Sequence, residues 1–188
     1  MPDPAATAGL TYRAARPGDA QAIAGLHTDS WRRHYRGAFT DAFLDSEAAA
    51  FLGDMWAGRF AAPDPSNRTI LAERDGKVVG LAHTVLGSDP TWGALLDNLH
   101  VSHELKRQGV GTRLLALTAR AVLDAAPASG LYLWVLEQNA AARAFYEARG
   151  GNRVEHRPAG APGGDVTKLN GRPVNLRMAW RDPSLLLA

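Results

Sequence analysis

The stretch His103–Val122, "HELKRQGVGTRLLALTARAV", runs together a basic pair, two closely spaced glycines and an unbroken helical pattern. Glycine weakens helices, so Gly109 and Gly111 at the point where a helix should start imply that something comes close to the main chain there. The spacing predicts a helix over Gly109–Ala126, with Val110, Leu114, Leu117 and Ala121 on one side and Arg113, Arg120 and Asp124 on another. Upstream, "WGALLDNLHV" (Trp92–Val101) reads as a strand. Downstream, "GLYLWVL" (Gly130–Leu136) is a strand apolar enough to be buried on both faces. Strand, helix and strand should form a right-handed crossover between locally parallel strands. The start of its helix carries unpaired N–H groups and the positive end of a dipole, where a phosphate can sit. Lys106 and Arg107 add positive charge. A Gly-x-Gly pair alone can also serve as a plain helix entry. The run is neither a P-loop, since GxxxxGK[ST] is absent, nor the dinucleotide fingerprint, since the third glycine of GxGxxG is missing.

Outward from this unit the chain alternates in period. "LTYRAAR" (Leu10–Arg16) reads as a first strand, and "PGDAQAIAGLHTDSWRRHY" opens a helix with Asp19 as N-cap and Ile23, Leu26, Ser30 and His34 on one side. "TDAFLDSEAAAFLGDMWAGRF" gives a second helix. "TILAERDGKVVGLAHTVL" is two strands turning at Asp75–Gly76. "NAAARAFYEARGG" is a helix stopped by Gly150, and "NRVEHR" and "VNLRMAW" are two last strands around a Gly- and Pro-rich connection expected to be mobile. The order β-α-α-β-β-β-α-β-α-β-β defines a single mixed α/β domain over residues 10–188, with residues 1–9 expected as a flexible tail.

Two segments together carry a resemblance. "KRQGVG" (Lys106–Gly111) is similar to the Arg/Gln-x-x-Gly-x-Gly/Ala phosphate loop of the GNAT superfamily of N-acetyltransferases. "NAAARAFYEARG" resembles that family's Asn-x-x-Ala-x-x-Phe-Tyr-x-x-x-Gly helix at Asn139, Ala142, Phe145, Tyr146 and Gly150. The resemblance covers most of the chain from Thr69 onward. It departs at Lys106, where Arg or Gln is usual, which keeps the charge but loses a planar fork. It departs also at His103, where the family often has Pro.

The resemblance implies a central sheet of about seven strands flanked by about four helices and splayed between the fourth and fifth strands. It implies acetyl transfer from acetyl-CoA to a primary amine by direct attack in a ternary complex. Leu99 and Val101 would hold the pantetheine arm through main-chain groups, with His100 between them in the cofactor-binding stretch. Lys106, Arg107, Gln108, Gly109, Val110, Gly111 and Thr112 would form the pyrophosphate cradle. Asn139 would contact the cofactor, and Tyr146 would point its hydroxyl at the sulfur. The alternative is a catalytically silent acyl-CoA-binding sensor, or a module in which the glycines only open a helix.

The chemistry asks for the same groups. An N–H near Leu99 can stabilise the oxyanion, and a tyrosine hydroxyl can serve the leaving thiolate. A lysine-like amine with pKa ~10.4 costs ~4.6 kcal/mol to deprotonate at neutrality. Asp97 leads as the base, ahead of His100 and His27. By strict alternation, His100 faces away from Asp97, Leu99 and Val101. His27, Trp31 and Tyr35 share one face of the first helix, a candidate wall for the acceptor.

Composition narrows the classes. The 188 residues suit one domain, 46% of them hydrophobic and 21% charged. No cysteine is present, which excludes disulfides and thiolate metal sites and fits a cytoplasmic setting. A net charge of +2 without a basic cluster gives no ground for a nucleic-acid partner. No apolar run approaches the roughly 20 residues that span a bilayer, so no membrane partner is expected. No metal is expected; the partner is a small-molecule or peptide amine, and a homodimer is left open.

Overall fold

In the computed structural model, residues 9–187 are described, so most of the expected tail lies outside them. One seven-stranded sheet runs β1-β2-β3-β4-β5-β7-β6. Its strands are β1 (Leu10–Ala14), β2 (Asn67–Arg74), β3 (Lys77–Asp89), β4 (Gly93–Val101), β5 (Leu131–Leu136), β6 (Asn152–Pro158) and β7 (Val174–Trp180). The helices are α1 (Ala20–His34), α2 (Ala48–Ala61), α3 (Val110–Ala125) and α4 (Ala140–Glu147). The β2–β3 turn falls at Asp75–Gly76, both at positive φ, as the sequence pattern requires.

All neighbours pair antiparallel except β4 and β5, which are parallel and joined by α3. Their ladder holds only at Ala94↔Leu131 and Leu95↔Tyr132. Beyond those pairs the strands part, and the sheet opens as a fork. Its closed end is glycine: a Cβ on Gly93 would lie 2.3 Å from the Gly130 carbonyl oxygen, and one on Gly130 would lie 2.7 Å from the Trp92 carbonyl oxygen. The two backbones touch where the arms meet, and no side chain fits between them.

Each face has its own core. α3 lays Val110, Leu114, Leu115 and Val122 against Ala94, Leu96, Leu133, Met178 and Trp180. On the opposite face Ile23 and Trp56 cover Leu71 and Leu81. At roughly 1.5–3 kcal/mol per fully buried large side chain, these contacts clamp the fork's closed end. A third, aromatic cluster of Phe39, Phe43 and Leu44, joined by Trp31, Tyr35 and Phe51, packs beside Leu136.

Local departures from the sequence reading have physical causes. β1 stops at Ala14 because Pro17 opens a 3-10 turn over Pro17–Asp19. The Asp19 side chain makes no cap bond to α1; its carboxylate accepts from Arg13 (2.7 Å) and from the Arg16 amide (2.7 Å). The stretch before α2 enters through a wide turn at Phe43–Glu47. The buried stripe of α1 is Ile23, Ala24, His27 and Thr28. The connection between β6 and β7 folds into two 3-10 turns and is tied to the aromatic cluster by Thr40 N–H to Lys168 O (2.9 Å) and Asn170 N–H to Ala38 O (2.8 Å).

Candidate active site

The fork's β4 arm carries an irregularity that simple alternation misses. Register against β3 runs His83↔Asn98 and then Thr84↔Leu96, so Asp97 is an extra residue, a bulge. Leu96 and Leu99 therefore both join the α3-side core, while Asp97, Asn98 and His100 all face α1 and α2. The expectation that His100 looks away from Asp97 is corrected: the bulge turns the two to one side. Arg59 of α2 donates to Asp97 Oδ2 (2.7 Å) and Asn98 Oδ1 (3.0 Å), fixing both side chains.

His100 is 8% exposed and pairs its Nδ1 with Ser30 Oγ at 2.8 Å. Burial first, and His34 next, push its pKa down to about 4. His27 is 1% exposed, stacks 4.3 Å from His100, and accepts the Trp56 indole N–H at Nδ1 (3.1 Å). Burial holds it neutral well below its ordinary value. His83 is also buried, with a pKa of about 4 set by burial and then by Arg59. These imidazoles are interior groups.

The expected shared face on α1 exists. His27 meets Trp31 edge-on at 4.9 Å, and Trp31 stacks on Tyr35 at 5.4 Å. Trp31 also lies against Phe39 (5.2 Å) and Phe51 (6.2 Å), so it packs the α1–α2 layer. At Tyr35, the C-cap of α1, burial first and the charge of Asp97 next push the pKa up to about 12.

At the open end of β4 the chain makes a 3-10 turn, His103–Leu105, and then the loop into α3. Arg107 (φ 64°) and Gly109 (φ 82°) are both left-handed. For arginine this conformation costs about 1 kcal/mol. The first intrahelical bond runs from Arg113 N–H to Gly109 O (2.9 Å), which leaves the amides of Val110, Gly111 and Thr112 at the helix mouth. The two glycines have different tasks. At Gly109 a Cβ would meet nothing within 4 Å, so the requirement is the positive φ. At Gly111 a Cβ would sit 3.4 Å from the Phe145 ring, at the near edge of ordinary contact, where α4 packs on α3. Lys106 Nζ donates to His34 Nε2 (2.8 Å), tying the loop to α1. Arg149 stacks on Phe145 at 3.9 Å and donates to Thr112 Oγ1 (3.1 Å), adding a cation at the same helix mouth.

Asn139 sits at the N-cap of α4, its Oδ1 accepting the Ala142 amide (3.2 Å). Tyr146 is 8% exposed. Burial pushes its pKa well above the usual phenol value, with Tyr35 adding to the effect. Tyr146 belongs to the α3-side core and Tyr35 to the aromatic cluster on the α1 side. Sequence reasoning missed Arg59, Asn98, Arg149, Trp134 and Arg157. Each reaches its place by a contact distant in sequence or across strands, which leaves no local pattern to read.

The sheet is thus a mixed one forked at its one parallel pair, with the free amides of a helix start beside the β4 arm. The sequence profile described as acetyltransferase (GNAT) family matches residues 28–151. The chain is 30% identical over 146 residues to "Probable N-acetyltransferase Rv2775" of Mycobacterium tuberculosis, covering 74% of this chain and 78% of that one. It is also 30% identical over 149 residues to "Uncharacterized N-acetyltransferase YuaI" of Bacillus subtilis, covering 77% and 82%. In fold it is similar to the PaiA N-acetyltransferase of Thermoplasma acidophilum, solved with coenzyme A, at TM-score 0.68 and 16% identity over 91% of this chain and 99% of that one. The chain belongs to the acetyltransferase (GNAT) family. Among its described residues no helix is long and apolar enough to cross a membrane.

Proposed function

We propose that the protein transfers the acetyl group of acetyl-CoA to a primary amine by direct attack within a ternary complex. The observation that carries this reading is the fork, with anion-ready amides at its β4–α3 rim. In this reading the amides of Gly109 to Thr112, with Lys106, Arg107 and Gln108, receive the pyrophosphate. Leu99, His100 and Val101 align the pantetheine arm along the open edge of β4, as an added strand would lie, and Asn139 flanks it from the β5 side.

The amine attacks the thioester carbon, charge develops on the carbonyl oxygen, and an N–H of the β4 edge stabilises it. The tetrahedral intermediate collapses with loss of the coenzyme A thiolate. Tyr146, kept protonated by burial, donates a hydrogen bond to the departing sulfur. A phenol whose pKa is raised gives up its proton reluctantly, so it stabilises the thiolate before any full transfer. Asp97, held by Arg59, takes the amine's proton through a water. Tyr35 and Trp31 border the acceptor, while His27 supports that wall from the interior.

The test is an amine panel read by thiol release from acetyl-CoA, with coenzyme A affinity measured by calorimetry. Turnover with at least one amine, together with coenzyme A binding, supports the proposal. Binding without turnover across the panel would overturn the catalytic reading in favour of a silent acyl-CoA-binding domain.

A further inference from the structure

The second arm of the fork carries a cation that the chemistry above leaves unused. Leu95 of β4 pairs with Tyr132 of β5 at the last rung before the strands part. Further along the arms stand Asp97, placed on the α1–α2 face by its bond to Arg59, and Trp134, which faces that side because its neighbours Leu133 and Val135 turn to the α3-side core. On the β4 arm the Asp97 carboxylate is bound by Arg59. On the β5 arm the Trp134 indole lies under Arg157 of β6, whose guanidinium carbon is 3.9 Å from the ring centroid. Arg157 pairs with Asn175 of β7 in the ladder, so its side chain reaches back across β7 toward the fork.

The carboxylates of this face are already paired. Asp89 and Glu155 both bind Arg177, at 3.1 and 3.3 Å, and Asp97 binds Arg59. Each carboxylate is committed to an arginine. Among the described residues Arg157 has no ionic partner, and its guanidinium rests on the Trp134 indole. Stacking on an aromatic face holds a guanidinium flat and leaves its edge N–H groups free, the geometry that grips a carboxylate with two parallel hydrogen bonds. The three carboxylates and three arginines named on this face sum to zero, and the cation among them without an ionic partner is Arg157.

Resting on the acetyltransferase reading, the geometry points to an acceptor amine that also carries a carboxylate, an amino acid or a carboxylate-bearing relative. Arg157 holds the carboxylate over Trp134, and the amine is directed toward Asp97 and the thioester. Arg157 is thus a specificity-determining residue, and polyamines without a carboxylate are poor acceptors.

Matched pairs test this: phenylalanine with phenethylamine, and lysine with cadaverine. Binding to the coenzyme-A-loaded protein is measured by calorimetry and acetyl transfer from acetyl-CoA by thiol release, for wild type, Arg157→Gln and Arg157→Lys. The wild type should favour the carboxylate-bearing member of at least one pair by roughly 10- to 100-fold in Kd and in KM, with kcat little changed. Arg157→Gln should erase that preference and leave coenzyme A affinity and the melting temperature unchanged. Arg157→Lys should retain part of it. Equal binding of both members by the wild type, or a preference that survives in Arg157→Gln, overturns the proposal. Equal transfer to both members overturns it and leaves the acetyltransferase reading standing. Selective binding of the carboxylate-bearing member without any transfer supports the Arg157 site and overturns the catalytic reading instead.

Discussion

The two rims of the fork are built by opposite means. The β4–α3 rim is made from one continuous stretch of main chain: a 3-10 turn, two left-handed residues and the amides of a helix start. The rim opposite, on the α1–α2 side, is made of side chains drawn from α1, α2, β4, β5 and β6, held by Arg59 on Asp97, Trp31 on Tyr35 and Arg157 on Trp134. A backbone site recognises what all members of a chemical class share, on the proposed reading a pyrophosphate. A site of side chains from many elements can change its preference one residue at a time. The difference explains how a fold with a constant donor can serve a particular acceptor.

The sharpest way to break that division is through Tyr146, the proposed hydrogen-bond donor to the departing sulfur. Tyr146→Phe removes one oxygen and keeps the ring, so stability and acetyl-CoA affinity should hold while kcat falls ~10²–10⁴-fold. Normal kcat would return Tyr146 to a packing role, and lost cofactor affinity would move it to the cofactor rim.

Next is the cofactor rim. Gly111→Ala adds a methyl at ordinary contact distance from Phe145 within α3, so it should leave stability unchanged or slightly raised and coenzyme A affinity nearly intact. Gly111→Asp adds a negative charge beside the pyrophosphate and should weaken coenzyme A binding by roughly 100-fold relative to Gly111→Ala. Equal affinities in the two variants, measured by calorimetry, would remove the phosphate from this helix mouth.

The acceptor side should be the acid-sensitive one. Burial depresses the native pKa of His83 and His100 to about 4, below the ordinary value near 6.5. Between those limits the unfolded chain binds protons that the native protein refuses, so stability falls as pH is lowered through the window. The slope should be about 1.4 kcal/mol per pH unit for each histidine. Denaturant unfolding from pH 7 to pH 4 measures it, and His100→Gln should flatten the dependence. An unchanged slope in that variant would show that His100 is not held neutral.

The smallest effect belongs to Asp97. If it receives the amine's proton through water, Asp97→Asn should lower kcat/KM by about tenfold at neutral pH and less at alkaline pH, where the amine deprotonates unaided. A loss independent of pH would make Asp97 a brace for Arg59 instead.

The same contrast explains what the sequence disclosed. The seven strands, the crossover through α3 and the loop at Gly109–Gly111 are local patterns, and each stands close to its predicted position. The face of His100 was misread because a bulge adds one residue without any mark in the composition of "LLDNLHV". The ion pair of Arg59 with Asp97 and the stacking of Arg157 on Trp134 join elements far apart in sequence or separated by an intervening strand, so no spacing rule reveals them. The β6–β7 connection looked loose because Gly and Pro dominate it. Its order comes from backbone bonds to Ala38 and Thr40, which local sequence cannot announce.

The central claim is that coenzyme A is held by the amides at the start of α3. Amide hydrogen exchange over Gly109–Thr112, with and without coenzyme A, tests it most directly. The account predicts that these exposed amides become strongly protected on binding, while the amides of α1 and α2 change little. Coenzyme A that binds and leaves Gly109–Thr112 unprotected would contradict it.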